Sequence, residues 1–478
     1  MRNFVFNEVM KLRRLSMINL AESFENGTLK NDIITLPKKM LPGPNSTYRD
    51  SVYLEREILK QRIKIYLGLD YYKTKDMELF EISENLDEII DGKSELLDNE
   101  KSVTVIEEAC DSCPSGKYYV TDLCRNCVAH SCYNVCPKKA ISIKDSRAFI
   151  DNEKCIGCGL CSKACNYFAI VKLERPCERA CSVGAIEKTK DNINTVKIDA
   201  AHIDREKCVD CGACYVSCPF GAVETPSQLF RVLNDIKKNE KVVAIFAPAI
   251  VSQFGPKVDI GKIKSALEKS GFYQSYEVAL GADMVAEEEA EMLEKNPDFM
   301  TTSCCPAFVN YIKKHKKEFI TNISEAYSPM TALAKYLKSK DKDIKVVFIG
   351  PCIAKKTEAR ENKYVDYVIT FEELGALFVA KKIEPTESES LSFKGTKEAW
   401  GFAVSGGVTE AVKKHINKEL KIIYLDGLEN ANDIFKKVSV EKYDLLEGMA
   451  CSGGCIAGPG VIVNPVTAKN GIKRINIE

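Results

Sequence analysis

The sequence has no excess of charge of either sign, and it has no long apolar run. Its 478 residues include 68 Lys plus Arg and 68 Asp plus Glu, so the formal net charge is zero. That balance does not favour nucleic acid or a membrane surface as the main partner. No stretch of about 18 consecutive residues is apolar, which argues against a transmembrane helix. Residues 1–24 mix charges with apolar residues and show no signal-peptide core, so we expect a cytoplasmic protein.

Cysteine, in contrast, is abundant. The chain has 21 cysteines, sixteen of them between Cys110 and Cys218 and five from Cys304 onward. A disulfide framework needs an oxidising compartment and is typical of short secreted chains, and the sequence indicates neither. Clustered cysteines in a long cytosolic chain are typical of metal ligands, which we expect here in preference to buried structural thiols.

The composition changes twice along the chain, which predicts three regions. Residues 1–100 lack cysteine and are rich in charge, with helical spacing of apolar residues over 54–67 and more loosely over 77–90. We expect a small helical region there, whose role the sequence does not indicate. Residues 101–228 hold the first sixteen cysteines, so ligand geometry should organise them more than an apolar core does. Residues 229–478 form the third region.

The third region is predicted to be an α/β domain with two sheet-bearing lobes. Unbroken apolar runs at 242–246, 346–349 and 422–425 are typical of parallel strands covered on both faces. Helices are predicted between them, over Ile260–Lys269, Met284–Lys295 and Met330–Leu337.

Two cysteine runs share the spacing C-x2-C-x2-C-x3-C. They are Cys155, Cys158, Cys161 and Cys165, and Cys208, Cys211, Cys214 and Cys218. The runs resemble two-cluster ferredoxins, in which the fourth cysteine of each run binds the other 4Fe–4S cubane. We therefore expect one cubane on the first three cysteines of the first run with Cys218, and another on those of the second run with Cys165. Zinc is the alternative, but zinc sites usually show separated C-x2-C pairs.

Eight cysteines of this region lie outside the two runs. They are Cys110, Cys113, Cys124, Cys127, Cys132, Cys136, Cys177 and Cys181. Eight is the number that two further cubanes need, and the C-x2-C-x4-C-x3-C-P run at 124–137 resembles polyferredoxin subunits of large redox enzymes. The spacing does not settle how the eight divide, and one pair could bind zinc or stay vacant. A series of cubanes is suited to carrying single electrons between a surface partner and a buried site.

The last five cysteines lie in three separate segments. These are TSCCP at 302–306, PCIAKK at 351–356 and EGMACSGGC at 447–455. Cys352 directly follows a predicted buried strand, and ligands of α/β sheets bind at the carboxyl ends of strands. Four thiolates from three loops can hold one cubane between two lobes, where Gly453 and Gly454 let the backbone approach closely.

In this order the three segments resemble the signature motifs of the di-iron (FeFe) hydrogenases. The resemblance spans about residues 105–462, and it is greatest to monomeric group B members, because Pro306-Ala307-Phe308 and Gly350 depart from the best-known branch. It implies a ferredoxin-like α+β region followed by a two-lobed α/β H-cluster domain. The implied activity is the interconversion of hydrogen gas with protons and electrons. The implied H-cluster is a 4Fe–4S cubane joined to a di-iron subsite with CO, cyanide and a bridging dithiolate that carries an amine.

The resemblance also implies roles for individual residues. The cubane ligands would be Cys305, Cys352, Cys451 and Cys455, the last of which would bridge to the di-iron subsite. Cys304 would exchange protons with the bridging amine, and Lys355 would hydrogen-bond a cyanide. The pocket would be lined by Met449, Ala247 and Pro248. Lys356 is expected on the solvated surface.

The implied proton route departs from that of the best-known branch. Glu289 falls on its first glutamate and Ser324 on its serine, but its second glutamate is replaced by Met292, whose thioether carries no transferable proton. Glu291 is next to it, but adjacent helical residues face about 100° apart, so we do not expect it to substitute.

Three other functions compete with this one. A sensory hydrogenase would use the same cofactor at slow turnover, but the signalling domain often appended to that class is not visible. A hydrogenase-like iron–sulfur assembly protein would lack the di-iron site, and the presence of Cys304 and Lys355 argues against it. A plain polyferredoxin would leave the third region unexplained.

The expected partners follow from the same resemblance. We expect a ferredoxin-type electron carrier, because no glycine-rich dinucleotide fingerprint follows a strand. Hydrogenase maturation proteins would supply the di-iron unit. Neither nucleic acid nor a membrane is expected as a partner.

Overall fold

The computed structural model describes residues 5–113, 117–188, 200–295 and 299–475. Helices dominate the first hundred residues, and the helix predicted over 54–67 is present as Val52–Tyr66. Its first turn is capped by Ser51, whose hydroxyl accepts a hydrogen bond from the Leu54 amide at 3.2 Å. The loosely periodic segment forms two short helices instead of one, Leu79–Glu84 and Leu86–Ile90. The remaining helices here are Glu8–Glu25, Leu29–Met40 and Tyr71–Thr74.

A buried cluster of charges joins these helices to the cysteine-rich region. The guanidinium groups of Arg13 and Arg62 both donate to Oε1 of Glu224, at 3.0 and 2.9 Å, and all three side chains are buried. Arg13 also donates to the carbonyl of Val223 at 2.7 Å. An unpaired buried charge is costly, so the three side chains stabilise the fold only together. They fix the N-terminal helices to the short strand Val223–Glu224.

The cysteine-rich region contains two modules of paired antiparallel strands. In the first module, Lys117–Val120 pairs with Ile170–Leu173 and Ile141–Lys144 pairs with Arg147–Ile150. In the second, Thr104–Val105 pairs with Val223–Glu224, and Ile186–Lys188 pairs with Ala201–Ile203. Short helices complete the modules, Ser131–Asn134 and Leu160–Ala164 in the first, Pro176–Ala180 and Ala213–Ser217 in the second. The first module is thus inserted in the sequence between two parts of the second.

The rest of the chain forms two parallel sheets, which confirms the predicted two-lobed α/β domain. One sheet has the order Gln274–Glu277, Val242–Phe246, Lys345–Ile349, Tyr367–Ile369. The other has the order Met300–Thr301, Leu445–Met449, Ile422–Asp426. Every residue of the strand Val242–Phe246 is buried, as expected. The expectation of burial on both faces is wrong for Ile422–Asp426, which lies at the sheet edge and exposes Tyr424.

Helices cover both sheets, and the three that were predicted are present. They are Leu229–Lys237, Ile260–Lys269, Ala279–Lys295, Pro306–His315, Pro329–Lys340, Ala354–Arg360, Phe371–Ala380, Lys397–Gly401, Gly407–Lys413, Ala431–Val440 and Pro465–Lys473. Short 3-10 turns occur at Pro248–Ile250, Lys317–Asn322, Pro385–Glu387, Leu428–Asn430 and Cys455–Ala457. Over the described ranges, no helix is both long enough and apolar enough to cross a bilayer.

Candidate active site

The carboxyl ends of three parallel strands carry the cysteines of the third region. Cys304 and Cys305 follow Met300–Thr301, Cys352 follows Lys345–Ile349, and Cys451 follows Leu445–Met449. Cys455 begins the short turn one loop later. Because these strands belong to both sheets, the cysteines meet where the two lobes face each other.

The four cysteines predicted as cubane ligands lie close together, and each is partly buried. Burial raises the pKa of Cys451 well above its usual range, and the neighbouring Cys352, Cys305 and Cys455 raise it further. Burial likewise raises the pKa of Cys455 to about 12, with Cys305 and Cys352 adding to the effect and Lys355 opposing it. Four thiolates would repel one another strongly here without a compensating cation. A cubane supplies that cation and is held by four cysteine thiolates, so the donor set fits the expected cluster.

Backbone conformation brings the Cys451–Cys455 loop close to its neighbours. Gly454 has a φ of +91°, and a Cβ there would lie 2.6 Å from the carbonyl oxygen of Ala403, so only glycine fits. The carboxylate of Asp426 accepts hydrogen bonds from the Gly453 amide at 2.5 Å and the Ser405 hydroxyl at 2.6 Å. Sequence reasoning missed Asp426, since no motif includes it.

A small cavity of about 60 Å³ lies beside Cys455. The structure brings to its wall all of the side chains that were expected to line the pocket, namely Cys304, Lys355, Met449, Ala247 and Pro248. The other lining residues are apolar: Ala249, Val278, Ala282, Pro329, Met330, Phe348, Phe402 and Ala403. The cavity therefore offers the thiols of Cys304 and Cys455 and one ammonium in apolar surroundings. This composition fits a small metal unit with diatomic ligands next to Cys455.

The ammonium of Lys355 is held by a buried network. Its Nζ donates to Glu358 Oε2 at 2.6 Å, to Ser328 Oγ at 2.8 Å and to the Cys304 carbonyl at 3.3 Å. Burial acts to lower the pKa of Lys355, but the adjacent Glu358 carboxylate outweighs it and the pKa is raised. The lysine therefore stays charged in the cavity. Glu358 lies one helical turn after Lys355, a spacing that could have identified it as a partner.

The expectation for Lys356 is wrong. Its side chain is 2% exposed instead of solvated. The ammonium donates to the Pro226 carbonyl at 2.6 Å and to the Thr225 hydroxyl at 3.2 Å, and lies 3.8 Å from Glu373. It thus joins the α/β domain to the segment that leaves the second cysteine module.

Glu289 is fully buried behind Cys304. Its Oε1 accepts a hydrogen bond from the Ser303 amide at 3.3 Å. Burial raises the pKa of Glu289 to about 7, although the hydrogen bond from the Ser303 amide opposes the rise. The carboxyl is therefore near half-protonation at neutral pH, as a proton relay requires. Cys304 has a pKa well above its usual range, because of burial and of the nearby Glu289.

The two C-x2-C-x2-C-x3-C runs lie in different modules, so the expected exchange of fourth cysteines between them is wrong. The core of the first module includes Cys124, Cys132, Cys136, Cys155, Cys161 and Cys165. The core of the second includes Cys110, Cys177, Cys181, Cys208, Cys214 and Cys218. Cys165 and Cys218 each lie among the other cysteines of their own module.

Within each module, the effects of neighbouring thiols on pKa indicate which cysteines lie closest together. Burial raises the pKa of Cys132, and the largest contribution from another thiol is that of Cys165. For Cys177 in the second module, burial is again the largest cause of the raised pKa, and Cys218 contributes most among the thiols. Across the described ranges, no three metal-ligating side chains lie close enough to share a single ion. A cubane spreads its thiolates over four iron corners.

Comparison with known proteins identifies the cysteine-rich region and the α/β domain. Residues 240–459 match the family described as iron only hydrogenase large subunit, C-terminal domain. Residues 123–169 and 175–222 each match the 4Fe–4S dicluster domain family, in agreement with the two modules.

Several hydrogenases and one other class are similar to this chain. Iron hydrogenase 1 of Clostridium pasteurianum is 29% identical over 399 residues, covering 68% of this chain and 67% of that protein. The periplasmic Fe hydrogenase large subunit of Nitratidesulfovibrio vulgaris is 30% identical over 370 residues, covering 56% of this chain and 88% of that protein. The probable cytosolic Fe–S cluster assembly factor oxy-4 of Caenorhabditis elegans is 23% identical over 364 residues, covering 61% and 78%.

The chain spans 67% of the length of the clostridial relative and 65% of that of a hydrogenase subunit from Solidesulfovibrio fructosivorans. The catalytic-domain match, the two dicluster modules and the identity to the Nitratidesulfovibrio subunit agree with one another. The chain belongs to the iron-only (FeFe) hydrogenase family.

Proposed function

We propose that this chain is a hydrogenase that interconverts hydrogen gas with protons and electrons. One observation carries the proposal. Four partly buried cysteines of the α/β domain, Cys305, Cys352, Cys451 and Cys455, lie together beside a small cavity whose wall holds Cys304, Lys355 and Met449.

The chain's own cysteines suit the cofactors of this family, which are 4Fe–4S clusters and the H-cluster. Cys305, Cys352, Cys451 and Cys455 would hold the H-cluster cubane, and Cys455 alone of these four lines the cavity, which suits it as the bridge. When bound, the di-iron subsite supplies a Lewis acid that polarises hydrogen and an amine that takes its proton. The protein orients the cluster and excludes water. Lys355 holds a positive charge where a cyanide would lie.

Protons would move through groups that the structure aligns behind the cavity. The Cys304 thiol lines the cavity, and Glu289 is the carboxyl with the largest electrostatic effect on it. With a pKa of about 7, Glu289 can take and return a proton near neutral pH. Ser324 lies next along the route.

Electrons would leave through the two cysteine modules. Cys451 has Cys211 of the second module among its electrostatic neighbours, and one cleft is lined by both. The four cubanes of the modules would have these ligands: Cys208, Cys211, Cys214 and Cys181; Cys110, Cys113, Cys177 and Cys218; Cys124, Cys127, Cys132 and Cys165; Cys155, Cys158, Cys161 and Cys136. The order from the catalytic site outward is the second module, then the first.

The other functions explain less of the structure. An assembly protein without a di-iron site leaves the cavity, with its thiol and its charged lysine, without a use. A sensory hydrogenase would have the same site, and only its turnover distinguishes it. For the partners, the modules support an electron carrier, and we propose a ferredoxin type together with maturation proteins and a cytoplasmic location.

An infrared spectrum of the matured protein tests the proposal. We expect bands from metal-bound CO and cyanide, together with hydrogen-dependent reduction of a viologen dye. Absence of the bands in protein that contains its full iron would contradict the proposal and favour the assembly function. Bands with turnover at least about 1000-fold below that of the clostridial relative would favour the sensory function.

A further inference from the structure

The first cysteine module, residues 117–173, exposes far more apolar surface than its size predicts. Among the described residues 27 large apolar side chains are exposed, and ten of them lie in this module, which is about one eighth of the chain. Val128 is 99% exposed, Phe168 79% and Ile156 60%. Concentrated exposed apolar surface in a soluble protein marks an interaction site.

The exposed apolar side chains border the cysteine loops. Val128 directly follows Cys127, and Ile156 directly follows Cys155. Cys158 is itself exposed. A protein seated on these side chains would lie next to the cluster positions of the module, which is where an electron must cross over a short distance.

The same module has an excess of positive charge. Residues 117–173 contain nine Lys plus Arg and four Asp plus Glu, an excess of five positive charges, whereas the whole chain is neutral. The remaining residues therefore have an excess of five negative charges. Exposed basic side chains include Arg125, Lys138, Lys139, Lys154 and Lys163. Thiolate-bound clusters add negative charge to every module that holds them, so the basic surface still distinguishes this one.

The rest of the chain leaves this surface open. The strands and helices of the module pack around their own core, which includes Ile141, Ile150 and Ile170. The second module, by contrast, packs Ile353 of the α/β domain and Ile58 of the N-terminal helices into its core. The first module is thus the end of the cluster series that faces solvent.

We propose that residues 117–173 form the docking surface for an acidic one-electron carrier protein of the iron–sulfur type. This inference rests on the proposed function. In the oxidising direction each hydrogen molecule gives two protons and two electrons, and two carrier molecules are each reduced by one electron at this surface; the reverse direction consumes the same numbers. A second copy of the chain fits less well, because it would bring two positive modules together. An anionic membrane would not need the apolar side chains to border the cysteine loops.

The first test is direct binding of a small acidic two-cluster ferredoxin to the cluster-loaded protein, measured by calorimetry. We expect Lys138→Glu with Lys139→Glu, and separately Val128→Asp, to raise the Kd at least about tenfold, with binding by the unchanged protein weakening as salt is added. The control is Lys340→Glu with Lys342→Glu, which makes the same change of charge. Those lysines are exposed before the strand Lys345–Ile349, at the sheet edge opposite the cysteines. We expect the control to change the Kd less than twofold.

Equal loss of binding in the control, or no loss in the module variants, would overturn the docking surface. So would binding to vesicles of anionic phospholipid that the module variants abolish while their ferredoxin binding is unaffected. A dimer in sedimentation that the module variants dissociate would overturn it as well. Iron content and the visible spectrum must match those of the unchanged protein, so that a misfolded variant is recognised. Dye-coupled hydrogen oxidation by the unchanged protein tests the proposed function separately. If that activity is absent while ferredoxin binding follows the expected pattern, the hydrogenase proposal fails and the docking surface stands.

Discussion

The hydroxyl of Ser324 donates a hydrogen bond to the thioether sulfur of Met292 at 3.8 Å. A thioether accepts a hydrogen bond but holds no proton that it can pass on. A proton that reaches Ser324 therefore cannot leave through residue 292. Glu291 does not replace it, because its carboxylate pairs with Lys295 at 2.9 Å on the exposed face of the helix. Protons must therefore reach solvent by a path other than a second buried acid at position 292.

The inner part of the route predicts that Glu289 and Glu291, two positions apart on the same helix, differ in their effect on turnover. Glu289→Gln should lower hydrogen turnover about 100-fold or more, because an amide cannot relay the proton that Cys304 gives up. Glu291→Gln should lower it less than twofold. Turnover is measured with a viologen dye, and infrared bands of the cofactor should be unchanged in both variants. Turnover of Glu289→Gln at the rate of the unchanged protein would show that protons leave Cys304 by another route.

Glu289 also predicts how stability changes with pH. Its pKa of about 7 in the folded protein exceeds its ordinary value of 4.5. Between these values the folded state keeps a proton that the unfolded state has lost, so stability falls as pH rises through this window, by roughly 3 kcal/mol in total.

Glu289→Gln should lack this contribution. The measurement compares the change in apparent melting temperature between about pH 5 and about pH 8 in the two proteins, and the decrease should be smaller in the variant. The same decrease in both would mean that the carboxyl stays ionised throughout.

The Lys355–Glu358 pair predicts a loss of stability. Glu358→Ala leaves a buried ammonium with only a hydroxyl and a carbonyl as partners, which should cost about 3 kcal/mol. Glu361→Ala, on an exposed carboxylate at the end of the same helix, should cost less than about 0.5 kcal/mol. Chemical unfolding of the cluster-free proteins checks both values. Equal stability of the two variants would contradict a structural need for the pair.

Cys455 is expected to attach the di-iron unit to the cubane. Cys455→Ala should abolish activity and remove the CO and cyanide bands, because the cavity would lose the only cubane ligand that reaches it. Cys455→Ser tests whether an oxygen can partly restore the bands. Intense bands in the alanine variant would show that the bridge has been assigned to the wrong cysteine.

The order of the modules predicts that substitutions of cluster ligands in the outer and inner modules affect electron transfer differently. Cys158→Ser, in the outer module, should reduce electron transfer to a ferredoxin about tenfold while hydrogen–deuterium exchange persists. Cys211 lies near Cys451. Cys211→Ser should therefore reduce electron transfer to ferredoxin and to small dyes alike. If Cys158→Ser also abolished hydrogen–deuterium exchange, the outer cluster would be part of the structure needed for catalysis.

The sequence by itself determined the chemistry of the site. The three motifs around Cys304, Cys352 and Cys455 are local, so the sequence alone identified their thiols. It predicted a strand end only for Cys352, because the strands Met300–Thr301 and Leu445–Met449 that precede the other motifs were not predicted. Apolar runs likewise predicted the central strands, because full burial requires unbroken apolar sequence.

Tertiary structure decided which distant groups meet. The two cysteine runs have the same spacing, so nothing local indicates that Cys165 lies near Cys132 and Cys218 near Cys177. The insertion of one module into the other decides it. Lys355 and Lys356 are adjacent in sequence, yet one reaches the cavity and the other the Pro226 carbonyl. Both remain charged or hydrogen-bonded only because folding supplies partners for them. A buried ionisable side chain depends on groups from other segments, and no single stretch of sequence contains that information.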